Sequence, residues 1–263
     1  LGFGALQFIV ISHRIRQEQR AKQAIQGMFG SYVAPEVVAR LIKSGEQPHL
    51  GGHLEHITAY FSDIQGFSAF SEILPPDRLV ALMNEYLTTC TDLVQAEFGT
   101  LDKYIGDAIV GIYNAPAPVE NHALRACVAS QLLRQRLANL RKKWVSEGDK
   151  WPSIVGKMRM RMGMNTGFAT VGNMGSSRRF NYTMMGDTVN LAARCESGAK
   201  SYGVYTMVTG ETRRAAEAAG DDCVFRFLDK IIVKGRSEPA EMHEIVCLRS
   251  DINDESKECI KIY

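Results

Sequence analysis

Two aspartates stand where a phosphate-transfer site would need them. Asp63 ends an apolar run (Ile57, Ala59, Tyr60, Phe61) that reads as a buried strand, and Gly66 and Ser68 then turn the backbone toward a helix. A carboxylate delivered to a sheet edge just before a helix N-terminus suits a magnesium-bound polyphosphate. The carboxylate holds the hard cation, and free backbone N–H groups meet the phosphate oxygens. Aspartate is also a common turn residue at strand ends, so Asp63 alone says little. Asp107 is the second carboxylate. It follows Gly106 between two apolar, β-branched-rich runs, 101–105 and 108–113, the pattern of a hairpin turn. If that hairpin pairs beside the Asp63 strand, both carboxylates meet at one edge. There they could bridge two divalent cations, Mg2+ or Mn2+, for an in-line displacement at phosphorus.

The elements that must position them follow from periodicity. After Pro75-Pro76-Asp77, apolar residues recur at three and four (Leu79, Leu82, Met83, Tyr86, Leu87, Cys90, Leu93, Val94), an amphipathic helix. A second long helix is expected from an Asn121 N-cap to Trp144. Met158, Met160, Met162 and Met164 alternate with Arg159 and Arg161. That is period two and a half-buried strand, although a methionine stripe by itself also suits copper. Residues 167–175 read as a glycine-rich hairpin, 188–196 as a short helix ending near Gly198, 205–209 as a strand and 211–219 as a helix. Residues 224–233 and 241–247 read as closing strands. Two strand–helix–strand units sharing an antiparallel-containing sheet make an α+β, ferredoxin-like (split βαβ) palm.

The 263 residues, 45% hydrophobic and 23% charged, suit one large globular domain with a short appendage. A formal net charge of +2 gives nucleic-acid binding no support. Six cysteines without a Cys-x-x-Cys pair read as reduced core thiols of a cytosolic protein. Residues 1–10 are almost uncharged, and His13, Arg14, Arg16, Arg20 and Lys22 follow at once. Segment 1–11 reads as the end of a transmembrane helix with its basic flank on the cytoplasmic side. An amphipathic helix docked on the protein is the other reading. Residues 12–54 read as a helical stalk and connector that closes with a polar, Gly-rich linker over 45–56. A catalytic domain is placed at 55–248 and a loose tail at 249–263.

Phe61-Ser62-Asp63-Ile64-Gln65-Gly66-Phe67-Ser68 and Lys103-Tyr104-Ile105-Gly106-Asp107 resemble the F-S-D-I-x-G-F-[ST] strand end and K-x-x-G-D hairpin of the class III nucleotidyl cyclases. Tyr182-Thr183-Met184-Met185-Gly186-Asp187-Thr188-Val189-Asn190-Leu191-Ala192-Ala193-Arg194 resembles the same family's most diagnostic block. The resemblance implies the palm with an added C-terminal subdomain, and a homodimer whose active sites are shared across the subunit interface. It also implies an adenylyl cyclase that turns ATP into cyclic AMP with two divalent cations. Metal would fall to Asp63, Asp107 and the Ile64 carbonyl. Lys103 and Thr183 would read adenine, Thr183 standing where many adenylyl cyclases have Asp. Asn190 would orient the ribose and Arg194 would stabilise the pentacovalent transition state. Arg178 (or Arg179) on the metal side and Lys234 would bind the triphosphate, and Phe67 would lie at the substrate. Guanylyl cyclases have Glu and Cys at the positions of Lys103 and Thr183, which ranks ATP ahead of GTP. A catalytically silent cyclase-like module is the remaining alternative. Membrane-anchored members carry a segment like Phe29 to Val37 before the domain, which implies attachment of a cytoplasmic catalytic domain to the membrane.

Overall fold

The computed structural model describes residues 49–232 and 238–254, with positions 13, 14, 17, 37, 38, 256 and 258 besides. The expected membrane segment 1–11, nearly all of the stalk 12–54, Lys234, and most of the tail beyond 254 lie outside the described residues. Among those described, no helix is long and apolar enough to cross a membrane. The chain divides into two units after Pro48, and the whole sheet belongs to the unit that begins at His49.

The elements run β1 (Gly51–Ile64), α1 (Phe67–Ile73), α2 (Pro76–Ala96), β2 (Thr100–Ile105), β3 (Ala108–Tyr113), α3 (His122–Ser146) and β4 (Met160–Ser176). They continue with β5 (Arg179–Met185), α4 (Asp187–Tyr202), β6 (Thr206–Thr209), α5 (Gly210–Ala219), β7 (Cys223–Ile231) and β8 (Ala240–Leu248). One sheet takes the order β2-β3-β1-β4-β6-β8-β7, with β5 paired to β4 outside that path. The first four strands are the antiparallel split βαβ expected from sequence. The C-terminal strands extend the same sheet, β6 running parallel to β4 and antiparallel to β8.

Alternation along β1 builds two layers. Tyr60 and Ile64 face α2 and α3, where Leu82, Tyr86, Cys90, Leu133 and Trp144 close the main core. Ile57 and Ala59 face the other way, against Val110, Ile112, Val171, Met184 and Ala192 of α4. Met160, Met162 and Met164 all join the main core, so the methionine stripe is core packing and copper is unnecessary to explain it. Trp144 Nε1 donates to Glu85 Oε2 at 3.0 Å, which satisfies the buried indole and ties α3 to α2. Gly163 allows α4 to lie directly on β4. A Cβ there would come within 2.0 Å of the Glu196 nitrogen and 2.5 Å of the Ala192 oxygen.

Several boundaries differ from the sequence reading. Residues 51–56 are the start of β1, paired with β4 as far back as Gly51↔Asn173, so the expected linker there is strand. Residues 167–175 continue β4, and the turn comes at Ser177-Arg178. The helix expected to end near Gly198 runs on to Tyr202, and Gly203 (φ 66°) stops it in the left-handed conformation that glycine adopts most readily. Asn121 occupies the position before α3 but makes no side-chain cap, because its own backbone is left-handed (φ 57°). The tail begins docked: Arg249–Asp251 is a 3-10 turn, and Arg249 pairs with Asp221 at 2.5 Å. The described cysteines Cys90, Cys127, Cys195, Cys223 and Cys247 are free thiols, as expected.

Candidate active site

β1 pairs with β3 up to Ser62↔Ile109, so the turn after β2 sits directly beside the end of β1. Gly106 makes that turn possible with φ 64°, a conformation open to glycine at no steric cost. The result is the expected convergence of Asp63 and Asp107. Asp107 Oδ2 accepts from the Ile64 N–H at 3.0 Å. Burial pushes the Asp107 carboxyl up to about 7, assisted by a hydrogen bond shared with Asp63 and by that residue's charge. A carboxyl pushed up by a neighbouring carboxylate marks a place where negative charge is in excess.

The donors fit a hard divalent cation: two carboxylates and the Ile64 carbonyl offer oxygen only. Among the described residues no group of three His, Cys, Asp or Glu side chains could hold a metal alone. Magnesium is commonly held by one or two carboxylates, with substrate phosphates supplying further oxygens. These residues match that pattern.

Arg161, opposite Asp63 in the β1–β4 register, was not singled out from sequence. Its guanidinium lies 4.0 Å from Asp63 Oδ2 and 3.3 Å from Glu196 Oε1 on α4. Burial raises the Glu196 carboxyl, with the Asp63 charge adding to the rise and Arg161 opposing it. Arg161 is therefore a cation that the fold brings to the carboxylates. Arg178, expected on the metal side, lies in the two-residue turn at the far end of the β4–β5 hairpin, with Arg179 next to it opening β5; both are exposed.

A second cluster forms where β5 meets β2. Lys103 Nζ donates to Thr183 Oγ1 at 3.0 Å, which brings together the two expected base readers. Asp102, also missed in the sequence, completes the cluster: Thr183 Oγ1 donates to Asp102 Oδ2 at 2.6 Å, and Lys103 Nζ lies 3.4 Å from Asp102 Oδ1. The Asp102 side chain is 1% exposed. Burial raises its carboxyl, while Thr183, Lys103 and the Met184 N–H act to keep it ionised.

Asn190 and Arg194 lie one turn apart on α4, beside the buried Leu191, Ala192 and Cys195; Asn190 is exposed and Arg194 half-buried. Phe67 opens α1 and packs against the main core. The carboxylates with Arg161 and the Lys103–Thr183–Asp102 cluster are thus two groups, each held by its own contacts within the chain.

The sequence model described as "Adenylate and Guanylate cyclase catalytic domain" matches residues 52–247. Adenylate cyclase 1 of Rhizobium meliloti is 35% identical over 238 residues, 89% of this chain. The chain spans 34% of that relative's length. The crystal structure of the adenylyl cyclase CyaB from P. aeruginosa superposes with a TM-score of 0.67 at 31% identity, covering 78% of this chain and all of that one. The guanylyl cyclase Cya2 superposes with a TM-score of 0.63 at 28% identity, covering 78% of this chain and 98% of that one.

Proposed function

The chain belongs to the adenylate and guanylate cyclase catalytic-domain family, and we propose that it converts ATP into 3′,5′-cyclic AMP and pyrophosphate. The observation that carries the choice of ATP is the Lys103–Thr183 contact at 3.0 Å. Adenine presents an acceptor at N1 and a donor at its 6-amino group. An ammonium can only donate and a hydroxyl can accept, so the pair complements adenine. Guanine presents N1–H and a 6-oxo group, and Lys103 cannot accept from the former. The likeness to Cya2 keeps guanylyl cyclase as the second reading, and the polarity of this pair ranks it lower.

In the proposed reaction Asp63, Asp107 and the Ile64 carbonyl hold two divalent cations, Mg2+ or Mn2+. These, when bound, would lower the pKa of the ribose 3′-hydroxyl and neutralise charge on the triphosphate. Asn190 orients the ribose so that its 3′-oxygen lies in line with the α-phosphorus. Arg194 meets the charge that grows on the α-phosphoryl oxygens, an interaction commonly worth orders of magnitude in rate. Arg161, anchored by Glu196, faces the departing pyrophosphate, and Lys234 is assigned to the same triphosphate. Arg178 and Arg179 are left to phosphate contacts made at the hairpin tip.

The proposed assembly is a twofold homodimer, in which the carboxylate group of one subunit faces the base-reading group of the other. Separate clusters within one chain support this. So does an exposed patch in which Leu54 and Met185 flank Thr170 in register next to Phe168, the three hydrophobic side chains being 62–67% exposed. Substrate chemistry places the catalytic domain on the cytoplasmic side, where ATP is found, and segment 1–11 remains the proposed membrane attachment. Incubating the purified chain with Mn2+ and ATP, with product identified chromatographically, tests the reading. Cyclic AMP is expected; its absence with ATP alongside cyclic GMP from GTP would favour the second reading.

A further inference from the structure

Side chains of adjacent residues in a regular strand point to opposite faces, yet Asp102 and Lys103 both reach Thr183. The register with β3 slips between Leu101 and Lys103, and this bulge leaves Asp102 without a cross-strand partner and turns it toward β5. The carboxylate so placed is enclosed, and one of its oxygens is hydrogen-bonded. It takes the Thr183 hydroxyl at 2.6 Å, inside the short range of an O–H donor on an ionised acceptor. The Lys103 ammonium lies 3.4 Å from its other oxygen, which accepts no hydrogen bond. Lys103 can only donate, so Thr183 accepts from it and gives its own hydrogen to Asp102, which is held as the acceptor of the shared bond.

We propose that Asp102 is a specificity-determining positioning residue: by taking the Thr183 hydrogen it fixes that hydroxyl as an acceptor, and so selects 6-amino over 6-oxo purine nucleotides. The inference rests on the cyclase reading above and deepens its base-recognition step. A free threonine hydroxyl rotates, and serves an amino or a keto group equally well. With its hydrogen committed to Asp102 and one lone pair occupied by Lys103, Thr183 has a single lone pair to offer. A 6-amino group donates to it. A 6-oxo group meets acceptor against acceptor, and buried mismatches of this kind discriminate strongly. Asp102 also places Lys103, whose remaining N–H groups are free to meet the purine N1.

The test compares ATP with inosine triphosphate, which differs from ATP only at the 6-position and N1. Wild type, Asp102→Asn and Asp102→Ala are assayed with Mn2+ for kcat/KM on both nucleotides, and thermal melts report folding. Wild type should favour ATP. In Asp102→Asn the amide oxygen can face Lys103 while its NH2 donates to Thr183, which turns the hydroxyl into a donor. The ATP-to-ITP ratio should therefore fall about tenfold, the scale of one hydrogen bond. Asp102→Ala frees the hydroxyl to rotate, lowers the ratio less, and decides the question if the Asn variant does not fold. In a Thr183→Ala background Asp102→Asn should lower the ratio less than it does in wild type, because the hydroxyl it orients is gone and only its hold on Lys103 remains. A residue that only joins β2 to β5 would lower both rates together. An unchanged ratio in folded Asp102 variants would overturn the inference while leaving the cyclase reading intact. A wild type that makes no cyclic AMP from ATP would overturn both.

Discussion

Binding of a divalent cation should expel a proton, and the amount should depend on pH in a calculable way. Burial and the neighbouring Asp63 push Asp107 up to about 7, and a cation needs both carboxylates ionised. About a tenth of that pair is fully ionised at pH 6 and about nine tenths at pH 8, so nucleotide-free Mn2+ affinity should be roughly tenfold weaker at pH 6. The sign for stability follows from the same shift. The unfolded chain loses this proton near 3.9, the folded chain near 7, so between them the folded state binds more protons. Stability of the metal-free protein contributed by this group therefore falls as pH rises from about 4 to about 7, then levels off. Calorimetric titration with Mn2+ in two buffers of different ionisation heat counts the protons directly: about 0.9 released at pH 6 and about 0.1 at pH 8. Asp107→Asn should melt higher than wild type at pH 8 without metal, and should release no proton. Equal affinity at both pH values, with no proton released at either, would refute the raised Asp107 carboxyl.

Other perturbations reach other parts of the account. Asp63→Ala should abolish cyclisation while leaving the far-UV spectrum unchanged; turnover near wild type would remove Asp63 from the metal site. Lys103→Glu with Thr183→Cys should lose ATP cyclisation and gain GTP cyclisation, because the hydrogen-bond polarity at the base edge is inverted; an unchanged ATP-to-GTP ratio would show that the pair does not face the base. Gly163→Val should cost about 2–4 kcal/mol or prevent folding, since its Cβ would lie 2.0 Å from the α4 backbone; a denaturation midpoint equal to wild type would contradict that packing. Deleting residues 1–25 should leave an active protein with weaker self-association, and loss of the fold would instead favour the docked-helix reading.

What the sequence showed and what it hid divide along the range of the interaction. The carboxylate pair was legible because each aspartate follows its own apolar run, and Gly106 announces the turn between β2 and β3. The long helices and the methionine strand were legible from period alone. Arg161 was not: in the alternation of β4 it looks like any outward arginine, and only the pairing Asp63↔Arg161 makes it a site residue. Asp102 was hidden by the rule that neighbours in a strand point apart, a rule suspended by one bulge. The first residues of β1 are glycine-rich and exposed from Gly51 to Leu54, so neither composition nor burial alternation marked them as strand. Gly198 looked like a helix stop, but it lies inside α4, which runs on to Tyr202, with its Cα side facing the end of the Met207 side chain.

Complementation between two inactive variants tests the shared-site cyclase most directly. Asp107→Ala removes the carboxylate half from a chain and leaves its Lys103, Thr183, Asn190 and Arg194; Arg194→Ala does the reverse. Each homodimer should be nearly inactive. In a mixed dimer one site carries both lesions and the other carries none. Random mixing makes about half of all dimers mixed, each with one intact site, so cyclic AMP formation should recover to roughly a quarter of the wild-type rate. The measurement is cyclic AMP from Mn2+-ATP after co-expression, with subunit exchange shown by two affinity tags on the same particle. Recovery near a quarter is the predicted result, and no recovery in demonstrably mixed dimers would contradict it.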